Sequence, residues 1–131
     1  MQHLNKDIKV TKDFLLKNEF DNIFRLASGS DFSWFYQQEQ NPNSKDGFFF
    51  SHKLYNNDTI NSNHFNRIMN PLKMRIQYTS LIRGQINLLT RSDKPRRSIM
   101  HRDFNNDTIT TGLFYLNETN GYTEFETGEK I

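Results

Sequence analysis

The chain has 131 residues, of which 34% are hydrophobic, and a formal net charge of +2. This length accommodates one domain, and so small a charge does not by itself indicate a nucleic-acid partner. Because the chain has no cysteine, disulfides and thiolate metal sites are excluded, and any metal has to be held by histidine and carboxylate side chains.

The sequence contains no apolar stretch long enough for a signal peptide or a membrane span. Together with the absence of cysteine, this leads us to expect a cytoplasmic protein with no membrane partner. Twelve phenylalanines and five tyrosines make up much of the apolar content, so we expect an aromatic core.

The first two predicted elements are a strand and a short helix. Residues 8–16 alternate loosely between apolar and polar and predict a strand. Asn18, with Asp21 three residues later, resembles a capping box at a helix start. The apolar residues that follow recur at helical spacing: Phe20, Ile23, Phe24 and Ala27. This pattern predicts an amphipathic helix that ends near Gly29.

A polar loop is predicted over residues 37–46 and a strand over residues 47–55. The strand carries His52, which we expect to line a cleft or to be hydrogen-bonded structurally. A second helical pattern follows Ser62, with apolar residues at Phe65, Ile68, Met69 and Leu72. Pro71 predicts either a kink or a new helix capped by Asn70. His64, just ahead of this helix, is expected to have a capping or surface role.

Residues 81–90 alternate in a way that predicts another strand, with Arg83, Gln85 and Asn87 on its polar face. Four basic residues follow in the loop that leads onward: Arg91, Lys94, Arg96 and Arg97. A solvated loop is the simplest interpretation of this cluster.

His101 and Asp103 are the most informative pair of side chains. In an extended strand, residues two apart point to the same face, so this imidazole and carboxylate would converge on one point. Residues 104–107 predict a turn, and residues 108–117 a second strand. The sequence therefore predicts two strands joined by a loop, with metal ligands at one end.

The surrounding motifs extend this pair. His101-Arg102-Asp103 is followed by TGLFYLN at residues 111–117 and NGYTEF at residues 120–125. The succession resembles the H-x-D, T-x-x-x-Y-L-N and G-x-T-x-F motifs of Fe(II)- and 2-oxoglutarate-dependent oxygenases of the prolyl 4-hydroxylase type. It looks most like the small versions carried by phages of marine bacteria. The resemblance covers about residues 81–131.

The resemblance implies a mainly β protein with N-terminal helices (α+β) and a double-stranded β-helix, the jelly-roll or cupin-like fold. Residues 81–131 would form the first half of that core, and residues 1–80 a supporting region within the same domain. His101 and Asp103 would bind Fe(II), and Tyr115 would contact the co-substrate 2-oxoglutarate. Thr111 shares the predicted strand face of Tyr115, and Asn87 is a weaker candidate for a further polar contact. Ascorbate would serve as an auxiliary reductant.

Members of this family add a second iron-binding histidine and a basic residue for the far carboxylate of 2-oxoglutarate, both downstream of G-x-T-x-F. Here no histidine follows His101, and Lys130 is the only late basic residue. We therefore expect an oxygenase fragment with little activity of its own, located in the host cytoplasm if phage-encoded. Its substrate could be a protein residue, a nucleobase or a small molecule. The alternative is a non-catalytic phage protein, structural or binding, associated with nucleic acid through residues 91–97.

Overall fold

The computed structural model describes residues 7–38 and 47–131. Within these ranges it contains two α-helices and an open antiparallel sheet, which confirms the α+β class. In chain order the elements are α1 (Lys17–Ser28), β1 (Phe35–Gln37), β2 (Phe49–Asn56), β3 (Thr59–Ile60), α2 (Phe65–Lys73) and β4 (Arg83–Leu88). No helix in the described ranges combines the length and apolar character needed to cross a membrane.

Helix α1 forms where the apolar spacing predicts it, but its start differs from the prediction. The Glu19 carboxylate accepts a hydrogen bond from the Leu16 amide at 3.0 Å, which satisfies one of the free N–H groups at the helix start. Asp21, predicted to close a capping box with Asn18, instead forms an ion pair with Lys17 at 2.6 Å. Leu16 is therefore the residue from which the helix begins.

The strand predicted over residues 8–16 is absent, so this prediction is wrong. Asp13 has a φ of 50°, in the left-handed region, and this conformation interrupts an extended run. The segment approaches α1 with the side chain of Leu15 buried in the core. Phe14 and Leu15 thus pack against the core, whereas Val10 and Leu16 are exposed.

Strand β2 is the centre of the sheet, because it pairs antiparallel with each of the other three strands. Phe50 of β2 lies opposite Tyr36 of β1 on one edge and opposite Leu88 of β4 on the other. The strands predicted over residues 47–55 and 81–90 are both confirmed. The polar loop predicted over residues 37–46 lies mostly outside the described ranges, although Gln37 belongs to β1.

A tight turn joins β2 to β3. Asn57 and Asp58 both have positive φ, of 50° and 57°, as a type I′ hairpin turn requires. Tyr55, just before the turn, stacks on Phe65 with ring centroids 5.6 Å apart. Desolvation and the nearby Asp58 carboxylate raise the pKa of Tyr55 above its usual 10.0, so its hydroxyl is neutral at physiological pH.

The core lies between the two helices and one face of the sheet. Its buried apolar residues come from both helices, β2 and the connecting segments: Leu15, Ile23, Ala27, Phe32, Leu54 and Ile68. Helix α2 supplies Ile68 and continues through Pro71 as one helix, so neither a second helix nor a cap at Asn70 forms. Pro71 lies in the last turn, where few backbone hydrogen bonds are left to disrupt.

Residues 98–131 form no strand, so the strand predicted to carry His101 and Asp103 and the second strand predicted over residues 108–117 are both wrong. The only pairing within this segment is an isolated bridge between Glu124 and Lys130. Side chains attach the segment to the rest of the chain instead. The ring of Phe114 makes edge-to-face contacts with Phe14 and Phe20, at centroid distances of 6.4 and 6.2 Å.

Leu54 is 2% exposed and occupies the middle of the core, so Leu54→Ala leaves a cavity between β2 and the helices. We expect a loss of about 2–5 kcal/mol in the free energy of unfolding, measured by urea denaturation. The control is Leu89→Ala, at a residue that is 74% exposed, which is expected to change stability by less than about 0.5 kcal/mol. Equal effects at the two positions would contradict this description of the core.

Candidate functional site

The His101 and Asp103 side chains converge, although the backbone that carries them is irregular. The Nε2 atom of His101 lies 3.6 Å from Oδ1 of Asp103. The Nδ1–H of His101 donates to the carbonyl oxygen of Ile99 at 2.8 Å, because a carbonyl can only accept. This bond places a proton on Nδ1 and directs Nε2 towards Asp103.

The pair lies beside Arg83, the first residue of β4, and is open to solvent. About 50% of the His101 side chain and 32% of the Asp103 side chain are exposed. Arg83 of β4 lies 3.8 Å from Asp103, and its guanidinium carbon is 4.9 Å from the ring centroid of Phe104. Arg83 thus lies beside the pair, and a local hydrogen bond to Ile99 orients the imidazole.

Two protein ligands are brought together here, and not three. Within residues 7–38 and 47–131, no group of three histidine, aspartate or glutamate side chains lies close enough to hold one metal ion. Among the described residues, the pair is therefore at most part of a metal site.

The three predicted co-substrate residues lie in different local surroundings. The Tyr115 hydroxyl is hydrogen-bonded to Oγ1 of Thr123, which joins the Y-L-N and G-x-T-x-F motifs. Asn87 lies on β4 and accepts a hydrogen bond from Gln85 at 3.0 Å. Thr111 is exposed and is not in a strand, so the strand face predicted to align it with Tyr115 does not form.

A second polar group, which the sequence did not identify, lies inside the protein. His52 is 7% exposed, and its Nδ1–H donates to the carbonyl oxygen of Ser33 at 2.6 Å. Its Nε2 accepts from the hydroxyl of Ser62, also at 2.6 Å. That hydroxyl accepts in turn from the amide of His64 at 3.1 Å. The Phe32 ring stacks on the imidazole with centroids 4.0 Å apart.

A serine paired with a histidine that is itself oriented by an acceptor is also the arrangement of a serine nucleophile and its base. Here both members are buried, Ser62 being only 9% exposed, so no substrate can reach the hydroxyl. The hydrogen bonds that link Ser33, His52 and Ser62 are therefore structural, which is one of the two roles expected for His52. His64 occupies the position before α2, but its side chain makes no capping hydrogen bond.

The sequence offered little indication of these hydrogen bonds, because their partners are distant along the chain. Ser33 lies 19 residues before His52, and Ser62 lies 10 residues after it. A histidine within the aromatic stretch of a strand was the only available indication. The pairing becomes visible only when β2 brings the segments before β1 and before α2 together.

Comparison with protein-family models, with curated proteins and with solved structures gave no match. Function is therefore inferred below from the residues and their geometry.

Removing the Ser62 hydroxyl leaves the buried Nε2 of His52 and the His64 amide without their partner. We expect Ser62→Ala to lower the free energy of unfolding by about 1–3 kcal/mol, measured by urea denaturation. The matched control is Ser80→Ala, because Ser80 is exposed and its hydroxyl makes no hydrogen bond within the described part of the chain. A Ser62→Ala protein as stable as the control would show that this hydroxyl is not needed by His52.

Proposed function

We propose that this chain carries part of the active site of an Fe(II)- and 2-oxoglutarate-dependent hydroxylase of the prolyl 4-hydroxylase type, located in the cytoplasm. His101 and Asp103 are two of its iron ligands. The supporting observation is the approach of His101 Nε2 to within 3.6 Å of Asp103 Oδ1, with the opposite ring nitrogen bonded to a backbone carbonyl. Metal-binding histidines commonly have their second ring nitrogen bonded in this way.

The spacing of the two donor atoms suits a single metal ion. Donors about 2.1 Å from one ion are about 3.0 Å apart at a right angle and at most about 4.2 Å apart. The 3.6 Å separation falls within these limits. A nitrogen and a carboxylate oxygen are also donors suited to non-haem iron. Both side chains are accessible, so an ion can reach them without rearrangement of the core.

Arg83 competes with a metal for the Asp103 carboxylate. Their separation of 3.8 Å is long for an ion pair, and about a third of each side chain is exposed. Ion pairs of this kind contribute about 0–1 kcal/mol, so exchanging Arg83 for a metal costs little. Once released, the guanidinium remains beside the site as a positive group able to hold an anion.

The resemblance of the motifs assigns the co-substrate to Tyr115, with Thr111 and Asn87 as further contacts. Bound iron and 2-oxoglutarate would supply the oxidising chemistry, and the protein residues would orient the reactants and exclude water. The contact between Tyr115 and Thr123 supports this proposal, because it brings two of the three motifs together. We further propose that residues 81–131, which include β4, belong to the first half of a double-stranded β-helix.

With two ligands from the described residues, iron binding is expected to be weak, since Fe(II) is low in the divalent affinity order. Imidazole in solution can then act as a substitute third ligand. We expect 10 mM imidazole to tighten Fe(II) binding at least about tenfold, measured by anaerobic calorimetric titration. Succinate release from 2-oxoglutarate should be near background without imidazole and rise when it is added.

His101→Ala and Asp103→Asn are both expected to abolish this imidazole-dependent binding. The matched control is His64→Ala, at a histidine with no part in the pair. The proposal is wrong if His101→Ala binds Fe(II) as the parent chain does. Strong turnover without imidazole would instead show that a further protein ligand completes the site.

A second candidate function, binding of single-stranded nucleic acid, is favoured by the position of the basic loop. The guanidinium carbon of Arg96 lies 5.8 Å from the ring centroid of Phe48, at the start of β2. Phe48 stacks on Tyr36 at 5.6 Å, and these rings are 41% and 59% exposed. Exposed aromatic rings beside basic side chains are the usual surface for stacking nucleic-acid bases.

If this surface binds single-stranded DNA, the affinity for a short oligothymidine should fall steeply as salt rises. Each phosphate contact contributes about −0.7 to the slope of log K against log salt, so Arg96→Ala should reduce the slope by about that amount. Tyr36→Ala should weaken binding with the slope unchanged, because stacking releases no counterions. Fluorescence anisotropy measures both quantities. An affinity that does not depend on salt would exclude this function.

A further inference from the structure

A polar groove runs across the face of the sheet opposite the helices. It has a volume of about 360 Å³ and is lined by residues of β1, β2 and β4, among them Gln37, Phe49, Ser51, Lys53, Arg83 and Gln85. This volume is within the roughly 300–1,000 Å³ range of small-molecule sites. The alternation of β2 explains the lining, since His52 and Leu54 face the core while Ser51 and Lys53 face the groove.

Ser51 is the unusual residue in this lining. Its side chain is only 3% exposed, and its hydroxyl makes no hydrogen bond with any described residue. Buried hydroxyl groups normally have a partner, and an unpaired one is costly. Since Ser51 also borders the groove, a bound ligand is the partner that the hydroxyl lacks.

The charges of the groove indicate an anion. Among the described residues, Lys53 is exposed and has no carboxylate partner, and the only carboxylate paired with Arg83 is the distant Asp103. Phosphate is well matched to this set, because it accepts from ammonium, guanidinium and hydroxyl groups at once. Among the described residues, Asp103 is the carboxylate paired with a groove residue, and it lies at the Arg83 end.

The remaining side chains match a nucleobase. Gln37 and Gln85 each offer an amide that both donates and accepts, as the polar edge of a base requires. Phe49 lines the groove, and Phe35, 61% exposed, lies opposite Ser51 in the strand register. Aromatic rings at these places can stack on a base.

The geometry points to a nucleoside monophosphate as the ligand of this groove, with its phosphate held by Ser51, Lys53 and Arg83. Arg83 connects the groove to Asp103, so the same residue borders both sites. The inference that the nucleotide is a substrate rests on the proposed function. The binding itself does not, because none of the three phosphate contacts is a proposed iron ligand.

The test is calorimetric titration of the metal-free chain with AMP, GMP, CMP and UMP, with adenosine, inorganic phosphate and a tetraglutamate peptide as comparison probes. We expect at least one nucleotide to bind at least about tenfold more tightly than phosphate or adenosine alone. Lys53→Ala should lower the affinity for that nucleotide at least about tenfold. Lys73→Ala should leave binding unchanged, because this exposed lysine of α2 has no ion pair with any described residue.

Ser51→Ala separates binding from folding. Removing an unpaired buried hydroxyl should raise the urea midpoint or leave it unchanged, while nucleotide affinity falls about three- to tenfold. His101→Ala should retain full nucleotide affinity, so that failure of the iron site and failure of the groove give different results. The inference is overturned if no nucleotide binds, or if phosphate or the peptide binds as tightly as the best nucleotide. It is also overturned if Ser51→Ala binds as well as the parent.

Discussion

Strand β2 is hydrogen-bonded along both edges, and its one buried imidazole links it to two other segments of the chain. Through His52 the strand is joined to Ser33 ahead of β1 and to Ser62 ahead of α2. The opposite face of the same strand supplies Ser51 and Lys53 to the polar groove. A change in the register of β2 would therefore move the core and the groove together, since one residue of slip exchanges the two faces of a strand.

The C-terminal third of the chain is attached to this framework by separate side-chain contacts. Phe114 packs on Phe14 and on Phe20 of α1, and Asp103 lies near Arg83 of β4. Arg97 and Glu124 pair at 3.3 Å and hold two parts of the segment to each other. The convergence of His101 and Asp103 thus depends on a local hydrogen bond to Ile99 and not on a strand.

Side-chain periodicity was sufficient to predict both helices and the two longer strands, because each of these elements buries one regular face. Periodicity failed where residues that favour strands have no partner edge, as in residues 108–117, and where Asp13 takes a left-handed conformation. Proximity of His101 and Asp103 was predictable, since they are two residues apart. The contact of Ser62 with His52 and the unpaired hydroxyl of Ser51 were not predictable from the sequence, because each depends on how distant segments pack.

Strand β4 has a further consequence for the behaviour of the protein in solution. Within the described residues it bonds only to β2, so the backbone amides and carbonyls along its outer edge have no strand partner. Such an edge is a template onto which another strand can be added, from the same chain or from another molecule. Arg83 places a charge at one end and discourages addition there, whereas Leu88 and Leu89 leave the other end apolar and exposed. Self-association through β-strand addition would therefore begin at the leucine end.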